Sequence, residues 1–123
     1  MPEIAPGRFV RFTGRSDLSA LACPPYDVID GPMRDELLAA DPHNYVRLVL
    51  PEGDTDAARY ATARRLLEAW LADGTLAQDD TPSLLAMEQR FHDPASGEAR
   101  VRRGLFAMSR LAEFSEGKVL PHE

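Results

Sequence analysis

Residues 23–30 (CPPYDVID) place an aromatic ring and a carboxylate directly after two prolines. Each proline fixes its own φ at about −65° and favours extended geometry in the residue before it, so Tyr26 and Asp27 follow a stiffened stretch of backbone. Tyr26 can stack on a ligand or donate a hydrogen bond, and Asp27 can accept a proton or hold Mg²⁺. The alternative is an ordered connection whose tyrosine packs on the core. The segment therefore predicts where a site lies, but it does not predict which reaction takes place there.

A second pair of reactive side chains, His122 and Glu123, follows residues 117–121 (GKVLP), which predict a short strand. Histidine titrates near neutral pH and glutamate can act as a base, so the pair is a candidate catalytic nucleus. Neighbouring residues of a strand point to opposite sides, so the two side chains are not expected to chelate one metal ion. The alternative is a frayed tail.

Three further polar residues, Asn44, Arg47 and Arg103, are candidates for binding a substrate or a phosphate group. Arginine holds carboxylates and phosphates through two parallel hydrogen bonds, and this role is assigned to Arg47 and Arg103. For Arg47 the alternative is a surface ion pair. We expect these side chains to converge with Tyr26 at one edge of the sheet. The catalytic groups of that predicted site are Asp27, His122 and Glu123.

Other kinds of site lack their sequence signals. Neither Gly-rich phosphate motif, GxxxxGK[ST] or GxGxxG, is present. His43 and His92 show no zinc spacing and no cysteine pair accompanies them, so no metal site is assigned. Cys23 is most simply a small buried thiol, with a nucleophile as the alternative.

The composition excludes some classes of partner. A formal charge of −6 opposes nucleic-acid binding, because nonspecific affinity comes from Lys and Arg that neutralise phosphates. Arginines between residues 90 and 110 predict one modest basic patch, with a solvated hairpin face as the alternative. No stretch approaches the ~20 apolar residues of a membrane span. A signal peptide is not recognisable and one cysteine cannot form an internal disulfide, so we expect a cytoplasmic location.

The first half of the chain predicts short elements. Residues 8–12 (RFVRF) alternate as in a half-buried strand. Asp30 is suited to cap a short helix over about 32–40. Residues 44–50 are rich in β-branched and apolar side chains and end at a proline, which predicts a buried strand near the sheet centre.

The clearest element is a long amphipathic helix over about 55–73, with Asp54 or Thr55 as its N-cap and Gly74 as its C′ residue. Apolar side chains recur along it at three- and four-residue steps. The predicted core face consists of Tyr60, Ala63, Leu66, Leu67, Trp70 and Leu71.

Residues 84–91 and 100–111 predict an antiparallel hairpin joined by the polar connection 92–98. Residues 105–108 (LFAM) are apolar on both faces, so we expect them to lie between other layers, or to favour a homodimer if they are exposed. The element order predicts an α+β fold: a mixed, mostly antiparallel sheet covered by a long amphipathic helix and a short helix. We expect residues 1–123 to form one domain.

Five short motifs follow one another along the chain: PPYDVI at 24–29, DPHNYVRL at 41–48, MEQRF at 87–91, RGL at 103–105 and VLPHE at 119–123. In order and spacing they resemble the amino-terminal part of the bacterial family called domain of unknown function 1015, from near residue 4 to residue 123. Family members continue with a threonine soon after the His-Glu pair and a later DGHHR segment. The resemblance therefore implies that this chain is the amino-terminal fragment of a longer protein.

The resemblance also carries functional expectations. The family is similar to the partition-protein-like fold that hosts free-serine kinases, which implies a nucleotide-dependent small-molecule kinase. ATP or ADP with Mg²⁺ would then be its cofactors, and the downstream segment would complete the phosphate site, so this chain alone is expected to be inactive. The alternative is a noncatalytic binding or regulatory module. DNA binding is opposed by the charge of −6 and by the lack of a recognisable helix-turn-helix.

Overall fold

The computed structural model describes residues 3–119. Its elements in chain order are β1 (Ile4–Ala5), β2 (Val10–Phe12), a 3₁₀ turn (Tyr26–Val28), α1 (Gly31–Ala40), α2 (Val46–Val49), α3 (Asp56–Ala72), β3 (Leu76–Gln78), β4 (Leu85–His92), β5 (Ala99–Phe106), β6 (Met108–Ser109) and a second 3₁₀ turn (Phe114–Glu116). Helices and antiparallel strands together confirm the α+β class. No helix within residues 3–119 has the length and apolar character needed to cross a membrane.

The chain divides into two compact units. The helical unit is Val10–Gln78, and the hairpin unit consists of residues 3–9 together with residues 79–119. In the helical unit, β2 pairs antiparallel with β3. The long helix α3 packs against β3 and α2, and α2 packs against α1. The buried apolar side chains of this unit are Leu21, Val46, Trp70 and Leu76.

The ends of α1 and α3 follow the predicted signals. The Asp30 carboxylate accepts a hydrogen bond from the backbone N–H of Met33 at 2.9 Å, which satisfies one of the free donors of the first turn of α1. Thr55 caps α3 in the same way, accepting from the N–H of Ala58 at 3.2 Å. Gly74, just after α3, has φ of 81°, a left-handed conformation that glycine adopts without steric cost.

Replacing Thr55 by alanine is expected to lower the free energy of unfolding by about 1 kcal/mol, because the capping hydroxyl is lost from α3. Urea unfolding followed by circular dichroism measures the change. Thr55→Ser keeps the hydroxyl and serves as the matched control. Equal destabilisation by the serine and alanine variants would contradict the capping role.

The predicted core face of α3 is only partly buried. Trp70 is 4% exposed, as predicted. Tyr60 is 75% exposed, and Leu67 and Leu71 are also exposed, so the core prediction is wrong for these three residues. The cause is that α3 packs against α2 and β3 along a narrower strip than the apolar pattern covers.

Residues 44–50 do not form the predicted central strand, and that prediction is wrong. Val46–Val49 form the short helix α2 instead. The side-chain oxygen of Asn44 accepts a hydrogen bond from the N–H of Val46 at 2.9 Å, and the N–H of Leu48 donates to the carbonyl of Tyr45 at 2.9 Å. These local bonds turn the backbone, although the side chains of the segment are of types that also suit strands.

The hairpin unit contains the predicted antiparallel pair, β4 with β5, in a register that sets Glu88 opposite Arg103. Strands β1 and β6 form a second pair. Within residues 3–119 the strands thus make three two-stranded sheets where the pattern suggested one. The placement of residues 105–108 between layers is also wrong, because Leu105, Phe106 and Met108 are each more than half exposed.

Candidate functional site

The double-proline segment ends in a 3₁₀ turn that presents Tyr26 to solvent. Pro25 is extended at φ −55° and ψ 143°, and its carbonyl accepts the N–H of Val28 at 3.2 Å. Tyr26, the first residue of the turn, is 68% exposed. The ring does not pack on the core, so the structure favours a presented side chain over the ordered-connection alternative.

Tyr26 lines an open groove, which we call the tyrosine groove, with a volume of about 890 Å³. A second exposed tyrosine, Tyr60 of α3, lines it as well. The other lining residues are Arg34, residues 48–54, Asp56, Arg59 and Ala63. The groove therefore combines aromatic rings, two arginines and several carboxylates in the helical unit alone.

A smaller space, which we call the arginine cavity, has a volume of about 190 Å³. It is lined by Arg34, Leu38, Arg47, Leu50, Glu52, Thr62, Arg65 and Leu66. Arg34, Leu50 and Glu52 belong to both linings. Two of the predicted binding residues, Tyr26 and Arg47, thus lie on adjoining spaces of the helical unit.

Arg47 is anchored by the backbone of α1. Its Nη2 group donates to the carbonyl oxygen of Leu38 at 2.9 Å. The Nε group is buried and has no hydrogen-bond partner among the described residues. No carboxylate of residues 3–119 lies within the 4.0 Å that defines an ion pair, so the surface ion pair considered for Arg47 is not formed.

The side chain of Asn44 has a structural role, because it is hydrogen-bonded to backbone groups. Its side chain is fully buried, and its Nδ2 group donates to the carbonyls of Ala20 at 2.8 Å and Ala22 at 3.1 Å. The Oδ1 atom accepts from Val46 at 2.9 Å. With both ends of the amide engaged by backbone, this side chain connects residues 20–22 to the start of α2.

A polar cluster that the sequence did not single out surrounds Asp41. Its carboxylate accepts the backbone N–H of His43 at 2.7 Å and pairs with Arg15 at 2.6 Å. Both contacts favour the charged form, the His43 hydrogen bond most, and they hold the pKa of Asp41 below its usual value. The His43 ring stands edge-on to Trp70, with ring centroids 5.4 Å apart. The cluster secures the loop between α1 and α2 against the core.

The remaining predicted site residues lie in different parts of the chain. Asp27 is exposed in the same turn as Tyr26. Arg103 lies on β5 of the hairpin unit, where it is exposed and pairs with Glu88 at 3.1 Å. His122 and Glu123 lie outside the described residues. The convergence of the whole set stays a prediction.

Among residues 3–119, no group of three or more His, Cys, Asp and Glu side chains is placed to hold a metal ion. Cys23 is half-buried, and this burial raises the pKa of its thiol, which lowers the fraction of reactive thiolate.

Sequence reasoning missed Arg34, Arg59 and Arg65 as lining residues and placed Tyr60 in the core. A tyrosine flanked by Arg59 near the start of an amphipathic helix was the available signal, because tyrosine keeps a polar end that suits a rim as well as a core. The arginines gave no signal of their own, since their positions relative to the cavities depend on how α1, α2 and α3 pack.

The fold and these spaces define an α+β protein whose helical unit carries two adjoining cavities rich in arginine. The chain belongs to the family described as protein of unknown function (DUF1015), whose family model matches residues 4–123. No curated protein and no solved structure matches the chain.

Proposed function

We propose that the tyrosine groove binds a small ligand with a planar ring and hydroxyl groups, such as a nucleoside or nucleotide. The observation that carries the proposal is the presence of two exposed tyrosines, Tyr26 and Tyr60, on one groove. Aromatic side chains on the wall of a concave site are suited to stacking on a planar ring of a ligand, and their hydroxyl groups can hydrogen-bond to it.

The size and polarity of the groove support this ligand class. Its volume of about 890 Å³ compares with roughly 300–1,000 Å³ for sites that hold drug-sized ligands. Glu52, Asp54 and Asp56 supply carboxylate oxygens at its wall, which can accept hydrogen bonds from ligand hydroxyls. Arg59 is held by Asp56 at 3.3 Å and by the Gly53 carbonyl at 3.0 Å, so this part of the wall is internally connected.

In the wider proposal, the groove serves a nucleotide-dependent small-molecule kinase of the cytoplasm, completed by sequence beyond this chain. ATP or ADP with Mg²⁺ are the proposed cofactors. Asp27, next to Tyr26, together with His122 and Glu123, is proposed to supply the acid–base groups. The transfer step rests only on the likeness to free-serine kinases that the family resemblance implies, which is an analogy at the level of the fold.

The second candidate is a noncatalytic binding or regulatory module. A specific observation favours it: every residue that lines the tyrosine groove belongs to the helical unit. Such a groove can bind a ligand without any group from another unit. Both candidates share the binding step and differ in whether a phosphoryl group is transferred.

Isothermal titration of the chain with ATP, ADP and adenosine tests the binding step. We expect binding that Tyr60→Ala weakens roughly tenfold, because stacking of one aromatic ring on a base contributes ~1–3 kcal/mol. Tyr60→Phe, which keeps the ring, should bind almost as the parent does. Phe114→Ala, at an exposed aromatic residue of the hairpin unit, is the control for nonspecific stacking.

Absence of binding for all three ligands, or equal weakening by Phe114→Ala, would contradict the groove proposal. Phosphoryl transfer is then tested by incubating the full-length protein with ATP, Mg²⁺ and small hydroxylated amino acids. ADP formation supports the kinase. Binding without ADP formation supports the module.

A further inference from the structure

We propose that the arginine cavity is a binding site for a compact oxyanion, a phosphate or a carboxylate group. The cavity adjoins the tyrosine groove and shares Arg34, Leu50 and Glu52 with it, but the inference does not rest on the proposed function. Three arginines, Arg34, Arg47 and Arg65, line it together with one carboxylate, that of Glu52. The lining thus carries a formal excess of positive charge on a chain whose net charge is −6.

The arginines of this cavity differ from most others in the chain in having no carboxylate partner. Among the described residues, no Asp or Glu oxygen lies within 4.0 Å of Arg34, Arg47 or Arg65. Ion pairs are formed by Arg15, Arg59, Arg64, Arg90, Arg100, Arg103 and Arg110. Three unpaired guanidinium groups on one cavity repel one another unless an anion lies between them.

The backbone holds two of these guanidinium groups in place. Arg47 donates from Nη2 to the carbonyl of Leu38 at 2.9 Å. Arg34 donates from Nη2 and Nε to the carbonyl of Leu50, at 3.2 and 3.4 Å. Its Nη1 group has no partner among the described residues, so each arginine is fixed on one side and keeps donors for a ligand on the other.

Arg47 supplies the sharpest indication of a missing acceptor. Its Nε atom is buried and makes no hydrogen bond with any described residue. A buried donor without a partner is unfavourable, and most such groups in proteins are satisfied by protein, water or ligand. An oxyanion beside Arg47 would bring negative charge close to this unsatisfied donor and to the other two arginines.

The size of the cavity fits such a group. Its volume of about 190 Å³ is far above the ~10–15 Å³ that one water requires, and far below that of the tyrosine groove. Phosphate and carboxylate oxygens match the forked donors of arginine, which gives charge-assisted hydrogen bonds in pairs. The Glu52 carboxylate disfavours a second anion, so a single compact group is the expected occupant.

Binding is tested by NMR titration of the chain with sodium phosphate and, in parallel, with sodium acetate, each against sodium chloride at equal ionic strength. Saturating shifts of the backbone signals around Arg47 and Arg65 are expected with phosphate or acetate and not with chloride. The stronger of the two responses identifies the anion class. Shifts that do not saturate, or that chloride reproduces, would overturn the proposal.

The adjacent arginines of α3 provide a matched pair of variants. Arg65 lines the arginine cavity, whereas Arg64 lines another cavity and pairs with Glu68 at 2.8 Å. Both are exposed, so neither variant should unfold the chain. Arg65→Gln is expected to weaken anion affinity roughly tenfold and Arg64→Gln less than about twofold. Equal weakening by the two variants would show a general charge effect and sink the proposal.

Arg47→Gln is the second variant at the site. Because it also removes the bond to Leu38, its fold is checked by circular dichroism before titration. A folded Arg47→Gln chain that retains full affinity would contradict the proposal, and roughly tenfold weaker binding would support it. A chain that binds phosphate through Arg65 but no nucleotide through Tyr60 supports the oxyanion site and contradicts the groove proposal.

Discussion

Replacing Trp70 by alanine is expected to lower the free energy of unfolding by about 3–5 kcal/mol, a large part of the stability of an ordinary domain. Trp70 is 4% exposed and is one of the buried apolar side chains of the helical unit. Its ring contacts Phe12 at a centroid distance of 6.1 Å and His43 at 5.4 Å. Truncation removes these contacts and leaves a cavity between α3, β2 and the loop before α2.

Urea unfolding measured by circular dichroism gives the change for Trp70→Ala. Trp70→Phe keeps an aromatic ring and should lose less stability than the alanine variant. Leu71→Ala, at the neighbouring exposed position, is the control for loss of apolar surface and should cost under about 1 kcal/mol. An unfolding midpoint of Trp70→Ala equal to that of the parent chain would refute this packing.

Asn44→Ala is the second change with a large expected effect, a loss of roughly 3 kcal/mol or more. The substitution removes both donors to the carbonyls of Ala20 and Ala22 and the acceptor for the N–H of Val46. The side chain is fully buried, so water cannot replace these bonds without entering the core. Each backbone group left unsatisfied in such a place costs ~1–3 kcal/mol.

The same unfolding assay tests Asn44→Ala, with Asn44→Asp as its informative companion. Aspartate has nearly the same shape but no donor, and it adds a buried charge, so it should be at least as destabilising as alanine. Gln89→Ala on the exposed hairpin strand β4 is the control and should change stability by under about 0.5 kcal/mol. A loss for Asn44→Ala no larger than for Gln89→Ala would show that the three bonds contribute little.

Asn44 also shows where sequence reasoning stopped short. The ends of α1 and α3 were predictable, because capping side chains and Gly74 act locally and their signals stand in the sequence. Residues 44–50 carry an apolar, β-branched pattern that fits a strand and a buried helical turn equally well. Local hydrogen bonds such as that from the N–H of Val46 to Asn44 turn the backbone, and the bonds from Asn44 to the carbonyls of residues 20 and 22 hold that turn in place. No pattern within the segment contains the contact to residues 20 and 22.

The candidate site was also predictable only in part, because local signals are readable in the sequence and contacts between helices are not. The prolines before Tyr26 predict a presented side chain, and Tyr26 is exposed and lines the tyrosine groove. Arg47 was chosen for its chemistry, but its neighbours Arg34 and Arg65 come from other helices, and their approach is set by tertiary packing. The spacing of apolar residues along α3 predicts that Tyr60 lies in the core, because such a pattern does not show how wide a strip of the helix is covered by other elements.

Helix α3 contributes some side chains to the core and others to the two cavities. This arrangement affects which positions of the helix can change in evolution. Trp70 faces the core, whereas Tyr60 and Arg65 line spaces open to ligands. Exposed substitutions usually change stability by under about 0.5 kcal/mol, whereas core substitutions cost several times more. Under the two proposed binding roles, substitution of Tyr60 or Arg65 would change ligand preference at little cost in stability, whereas substitution of Trp70 would impair folding.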